Sequence, residues 1–180
     1  MKINKVSGLL LVAAAVLIAW SLKRHYADAR VDDLQWILSP TAHLVGATTG
    51  ATFVMQPGEG YFSREHMFLI EKSCAGVNFM IAAFIMLAAA LAHRARTVVA
   101  VAQVLVVSLV ASYTAAVIVN TMRITIAMWL AARPAGLSGF SGADVHRIEG
   151  ITVYFVGLVL LYELVQRLDR RVMRQPEVMS

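Results

Sequence analysis

The chain has 180 residues, of which 59% are hydrophobic and only 15% are Asp, Glu, Lys or Arg. Soluble domains carry about 25% charged residues, so this composition excludes an ordinary soluble domain and indicates an integral membrane protein. The net charge of +5 does not indicate nucleic-acid binding, because the basic residues lie between apolar segments, where they anchor membrane edges. The length predicts a single membrane domain over residues 1–180.

The first apolar segment, residues 6–22, is flanked by Lys2 and Lys5 before it and by Lys23 and Arg24 after it. A secretory signal peptide has a similar basic start and apolar centre. Here the charged sequence KRHYADAR follows, and no small-residue cleavage site comes promptly after the apolar run. We therefore interpret this segment as a retained transmembrane helix.

The next segment, residues 34–50, is apolar but contains Pro40, His43 and Gly46. It is short and polar for a crossing, which needs about 20 apolar residues, so we expect an interfacial or re-entrant helix. In residues 51–72 the turn sequence PGEG separates two runs rich in β-branched and aromatic residues. This pattern predicts a short hairpin outside the membrane.

Three further membrane helices are predicted, over residues 75–92, 97–130 and 148–166. The basic sequence HRAR separates the first two, and the Gly-, Pro- and Ser-rich loop RPAGLSGFSGAD separates the last two. The fold class is therefore all-α integral membrane, with about four transmembrane helices. Lys and Arg are equally divided between the two sides, but their density in short tails and turns favours cytoplasmic termini and a non-cytoplasmic hairpin.

The only cysteine, Cys74, directly precedes the second membrane helix, so an intrachain disulfide and a CxxC redox pair are excluded. Most lone cysteines are small buried hydrophobes, but an unpaired thiol that faces an oxidising compartment is unusual. Alternating helices bring Cys74 to the same membrane face as Arg123, near the end of the third helix, and His146, just before the fourth. His93 lies about 30 Å away, at the other face.

These three residue types support nucleophilic catalysis. A thiol attacks carbonyl groups as a thiolate, which a helix N-terminus or a nearby cation favours. We expect Cys74 to be the nucleophile, His146 the general acid and base, and Arg123 the stabiliser of an oxyanion or a carboxylate. The simpler alternatives are an arginine that extends to lipid headgroups and a solvated loop histidine.

Three further polar residues are candidates for a supporting role. Asn120 shares a helix face with Arg123 at a spacing of three, and Glu71 and Glu149 could orient the histidine. Asn120 could instead hydrogen-bond a neighbouring helix, and the two glutamates could simply face water. His66, eight residues before the thiol, is the rival base. The His and Cys residues show no familiar metal-ligand spacing, so we predict neither a metal site nor another cofactor.

Three motifs in this order resemble the exosortase/archaeosortase family of membrane cysteine transpeptidases. They are SCAGVNF at the head of one membrane helix, NTMRI at residues 120–124, and His146 before the last helix. The resemblance covers about residues 36–157, and the stretch PGEGYFSREHMFLIEKSCAGVNF is most similar to the exosortase K subgroup. The chain departs from many relatives at Ala75, where they have Ser, and it has fewer helices than the eight-helix members.

The resemblance implies that Cys74, His146 and Arg123 form a catalytic set on the non-cytoplasmic face of the cytoplasmic (inner) membrane. It implies exported substrates whose PEP-CTERM-like tail has a short motif, a hydrophobic helix and a basic cluster. Cleavage would form a thioester, which a nucleophile on a surface polymer or lipid resolves.

The main alternative is a non-catalytic membrane scaffold or assembly protein, in which Cys74 packs between helices and Arg123 is an anchor. A thiol- or quinone-redox membrane protein is disfavoured, because there is no second cysteine.

Overall fold

The structure is a computed structural model that describes the backbone of residues 5–131 and 142–174 and the side chains of residues 5–131 and 148–171. This part of the chain contains five α-helices and a three-stranded antiparallel sheet. The helices are α1 (Lys5–Asp28), α2 (Gln35–Thr49), α3 (Val77–Ala90), α4 (Val98–Ala131) and α5 (Gly142–Arg174). The strands are β1 (Val54–Gln56), β2 (Gly60–Ser63) and β3 (Phe68–Ile70), and short 3-10 turns lie at Val31–Leu34, Lys72–Cys74 and Ala92–Arg94.

Among the described residues, four helices are long and apolar enough to cross a membrane, namely α1, α4, α5 and the segment Lys72–Ala90 that contains α3. The mostly helical fold and the number of such helices agree with the sequence analysis. The last helix is longer than the predicted 148–166, because it continues through polar residues at both ends of the apolar run. His146 consequently lies within the first turns of α5 and not in the loop before it.

Contacts at the two ends of the bundle show that α1, α3, α4 and α5 alternate in direction. Near the end of α5, Asp169 pairs with His93 Nε2 in the α3–α4 turn at 3.0 Å. Near the end of α1, Lys23 Nζ donates a hydrogen bond to Asn78 Oδ1 at the start of α3, at 2.8 Å. The start of α3, the second half of α4 and the start of α5 therefore lie at the same end of the bundle.

The first helix packs on α3 through residues spaced four apart. Ser7, Leu11, Ala15 and Ala19 are buried, while most other side chains of α1 are exposed. Three of these four residues are small, which lets the two backbones approach closely, as is common between membrane helices.

The second helix runs alongside α4. Tyr113 Oη donates to the carbonyl oxygen of Trp36 at 2.8 Å, and the Thr48 and Thr125 hydroxyls lie 3.2 Å apart. In each pair the two residues are 77 positions apart in sequence, so α2 and α4 run parallel to each other. Their packed side chains, with the start of α3, form the main hydrophobic core.

The predicted hairpin is a three-stranded meander in the order β1-β2-β3. The expected PGEG turn joins β1 to β2, with Gly58 and Gly60 at φ values of 80° and 121° that favour glycine. A second turn over residues 64–67 separates β2 from β3, and it contains neither glycine nor proline. The sequence analysis missed this turn because its residues carry no turn signal.

Candidate active site

Cys74 ends a 3-10 turn and lies three residues before the first residue of α3, Val77. Gly76 precedes the helix at φ 68°, a left-handed conformation that glycine adopts without strain. Helix α3 begins later than the predicted residue 75, because this glycine reverses the chain between the turn and the helix. The thiol is therefore presented from a separate turn beside the helix end.

The end of α1 holds this turn from one side. Lys72 Nζ donates hydrogen bonds to the carbonyl oxygens of Ala29 and Ala27, at 2.7 and 3.1 Å. Tyr26 Oη donates to the Lys72 carbonyl oxygen at 3.2 Å. Since the last carbonyl groups of a helix have no partners within the helix, Lys72 satisfies two of these acceptors. The first helix is thereby connected directly to the segment that carries the thiol.

The other side of the turn is held by a buried amide on α4. Asn120 is fully buried, and its Nδ2 donates a hydrogen bond to the Cys74 carbonyl oxygen. A Cβ atom at Gly76 would lie only 3.1–3.2 Å from the Asn120 side chain, so the two residues are in close contact. Asn120 was predicted to support the site, and the structure shows the contact through which it holds the Cys74 backbone.

Tyr154 on α5 completes this arrangement. Its Oη donates to Asn120 Oδ1 at 2.8 Å, and its ring lies 5.2 Å from that of Phe79 on α3. The hydroxyl fixes which end of the Asn120 amide faces the Cys74 carbonyl. Tyr154 was not predicted to be part of the site, because a tyrosine in an apolar helix does not reveal which polar group it meets.

Arg123 is turned toward α5. Its Nη1 lies 3.5 Å from Tyr154 Oη, and its guanidinium carbon lies 5.4 Å from the centroid of the Tyr154 ring, a cation–π geometry. Helix α5 approaches closely here, since a Cβ atom at Gly150 would lie 3.0 Å from Arg123 Nε. Glu149 is within electrostatic range of the guanidinium. Arg123 thus packs between α4 and α5.

A partly open cavity of about 320 Å³ lies between β3, the Cys74 turn and α4. Its lining consists of Phe68, Leu69, Glu71, Ser73, Cys74, Arg123, Ile124 and Ala127. The thiol and the guanidinium that the sequence analysis paired therefore share one cavity. Glu71 also lines it, and Glu71 Oε1 accepts a hydrogen bond from Ser73 Oγ at 2.7 Å.

Three of the five histidines were considered for a role at the site, and they lie in different places. The backbone of His146 lies in the first turns of α5, at the same end of the bundle as the cavity, and its side chain lies outside the described residues. His66, the rival base, is exposed in the β2–β3 turn and is not among the described residues that line the cavity. His93 is at the opposite end of the bundle, as the alternating helices predicted. There it pairs with Asp169.

The described residues contain no cluster of three or more His, Cys, Asp or Glu side chains that could hold a metal ion. The polar groups around the cavity are instead a thiol, a guanidinium, a carboxylate and a hydroxyl. A thiol and a cation that line one cavity are suited to attack on a carbonyl group bound there, with the cation compensating the negative charge that develops on oxygen.

Comparisons with protein-family models, with curated proteins and with solved structures gave no match to this chain. The resemblance to the exosortase/archaeosortase family stays a prediction that depends on the motifs around Cys74, Arg123 and His146.

Proposed function

We propose that this protein is a membrane-embedded cysteine peptidase, and that it acts as an exosortase-like transpeptidase on exported proteins. The observation that carries the proposal is the shared cavity of Cys74 and Arg123 at one end of the bundle. The Cys74 backbone is also fixed on both sides, by Lys72 toward α1 and by Asn120 toward α4. Such fixed positioning of a nucleophile is what covalent catalysis requires.

The proposed reaction begins when His146 accepts the thiol proton and the Cys74 thiolate attacks a peptide carbonyl. A carbon–sulfur bond forms, the carbonyl oxygen becomes an oxyanion, and Arg123 stabilises that charge. The carbon–nitrogen bond then breaks, and His146 returns the proton to the leaving amine. A nucleophile on a surface polymer or lipid, or water, attacks the resulting thioester and releases the thiol.

The proposed substrates are exported proteins that end in a hydrophobic helix and a basic tail, as the motif resemblance implies. The active face is proposed to be the non-cytoplasmic side of the cytoplasmic membrane. Two features support this orientation: basic residues are dense in the short α3–α4 turn, and the cavity lies at the opposite end of the bundle from that turn.

The alternative of a non-catalytic scaffold has one observation in its favour, since Cys74 is buried within the main hydrophobic core. The two functions differ in what happens when the sulfur is removed. A packing role tolerates alanine, because only one small atom is lost, whereas a nucleophile does not.

The test is a comparison of the C-termini of exported tailed proteins in cells that carry the wild type, Cys74→Ala or Cys74→Ser. The proposal predicts trimmed C-termini with the wild type and retained tails with both variants, at equal membrane levels of the protein. Serine is close to cysteine in size, so loss of trimming in Cys74→Ser separates nucleophilicity from packing. Continued trimming in Cys74→Ala would refute the peptidase function.

A further inference from the structure

The outer edge of β3 borders the cavity. In the sheet order β1-β2-β3, strand β3 pairs with β2 on one side, and no strand in the described part of the chain pairs with its other side. An edge strand presents a row of main-chain N–H and C=O groups that can pair with another extended segment. Whether a segment paired with this edge could reach the thiol depends on where the edge lies relative to Cys74.

From its lining we infer that the cavity lies along the edge of β3 and not on one face of the sheet. Two consecutive residues of β3, Phe68 and Leu69, line it, while β1 and β2 contribute nothing to its described lining. Successive side chains of a strand point to opposite faces, so a cavity on one face would contact alternate residues. Contact with both residues places the cavity beside the strand.

The remaining lining completes a cleft that suits an extended peptide. Ile124 and Ala127 of α4 form an apolar wall opposite β3, and the Cys74 turn lies at the end toward which β3 runs. Arg123 is on the same α4 wall, so a peptide carbonyl placed at the thiol would develop its negative charge near a cation. The attraction between the Arg123 cation and the oxyanion that develops on the carbonyl favours a peptide whose scissile bond lies beside Cys74.

We propose that β3 binds the substrate as an added strand, so that main-chain pairing with its outer edge delivers the scissile carbonyl to Cys74. This inference rests on the proposed peptidase function and adds how the substrate is held. Strand β3 has three residues and spans about 10 Å, so it pairs with about three substrate residues. Main-chain bonds supply the affinity, and alternate substrate side chains contact the α4 wall.

The test uses the protein in detergent with its natural sequence, and Cys74→Ala is the one control variant. The probe is acetyl-tetra-alanyl chloromethyl ketone, which alkylates a thiol, and the control for length is acetyl-alanyl chloromethyl ketone. In one series each alanine in turn is replaced by N-methylalanine, which removes one N–H group. In the matched series it is replaced by 2-aminobutyric acid, an isomer that keeps the N–H group. Intact mass measures alkylation, and Cys74→Ala shows that the label is on Cys74.

Added-strand binding predicts that the tetrapeptide probe alkylates Cys74 faster than the short control. It also predicts that N-methylation slows alkylation about three- to tenfold at alternate positions only, since alternate N–H groups face the partner strand. The 2-aminobutyric acid series should change the rate little.

Two other outcomes have different meanings. Equal rates for the long and short probes, or N-methyl effects without alternation, would overturn added-strand binding and leave the peptidase function standing. Failure of both probes to alkylate Cys74 would overturn the proposed function itself, because the thiol would then be unreactive from the cavity.

Discussion

Asn120 joins the Cys74 turn to α4 and α5, so the arrangement of the candidate site depends on one buried amide. Its Nδ2 donates to the Cys74 carbonyl oxygen, and its Oδ1 accepts from Tyr154 Oη. Both polar ends of the side chain are satisfied in a fully buried position. A buried polar group with a unique set of partners is costly to disturb, so this amide defines a single arrangement of the turn.

Replacing Tyr154 with Phe should weaken this arrangement without removing the aromatic packing on Phe79. The change leaves Asn120 Oδ1 without its donor, which costs about 1–2 kcal/mol of unfolding free energy, and it should slow alkylation of Cys74. Unfolding in mixed detergent and the alkylation rate measure the two effects. Tyr162→Phe is the matched control, because Tyr162 is exposed on the same helix. Equal effects of the two variants would contradict the account.

Gly76→Ala should be more harmful than the same substitution at Gly50. Both glycines have positive φ, 68° and 74°, so alanine pays a similar backbone cost of about 1–2 kcal/mol at each. At Gly76 the added methyl group also presses on Asn120, whereas at Gly50 nothing lies within 4 Å. We expect loss of substrate processing only for Gly76→Ala. Normal processing by that variant would show that the contact with Asn120 is unimportant.

Three helices converge on the Cys74 turn, because α1, α4 and α5 each contribute a group that fixes the turn or its surroundings. Lys72 connects the turn to the end of α1, and Asn120 connects it to α4. Tyr154 brings α5 into the same network. The Cys74 turn is thus held by packed helices and not by a free loop, which is how rigid sites are built.

Lys72→Met should loosen the attachment of α1 to the turn. The variant keeps the aliphatic stem but loses the two hydrogen bonds to Ala29 and Ala27, at a cost of about 1–2 kcal/mol. Unfolding and Cys74 alkylation report on this change. Lys23→Met is the comparison, because Lys23 bonds the exposed Asn78 side chain, where we expect a smaller effect. A larger effect of Lys23→Met would argue against the role of Lys72.

Apolar runs predicted the four helices that are long and apolar enough to cross a membrane in the described part of the chain, because membrane burial requires about 20 consecutive apolar residues and leaves a clear pattern. Helix ends were less predictable. Helix α5 continues into polar residues at both ends, and α3 starts after Gly76, whose positive φ the sequence does not reveal. The third strand was also missed, since its turn has no glycine or proline.

The candidate site could be predicted in its residue types but not in its contacts. Cys74 and Arg123 stood out because a lone thiol and a charge within apolar sequence are unusual. The bond from Asn120 to a main-chain carbonyl, and the bonds made by Lys72 and Tyr154, depend on the packing of segments far apart in sequence. No spacing rule contains that information.

At the scale of the whole molecule, the two ends of the bundle carry different groups. The thiol and its cavity lie at one end, and the His93–Asp169 pair lies at the other. If the chain crosses the membrane as proposed, these ends face different compartments. The single cysteine makes this easy to examine, because a thiol reagent can react at one position only.

A membrane-impermeant maleimide should label Cys74 in spheroplasts whose membrane is intact. A second variant carries Cys74→Ala together with Thr97→Cys, directly before α4. Its new thiol should react only after permeabilisation. Mass-tagged gel shifts measure both reactions. Labelling of Thr97→Cys without permeabilisation, together with protection of Cys74, would reverse the proposed orientation.

Capture of an acyl-enzyme tests the central claim most directly. The protein is purified rapidly from cells that export tailed substrates, and its intact mass is measured before and after neutral hydroxylamine, which cleaves thioesters. The account predicts an added acyl mass on Cys74 that hydroxylamine removes and that Cys74→Ala lacks. Trimming of tailed substrates without any adduct on Cys74, and at an undiminished rate in Cys74→Ala, would contradict it.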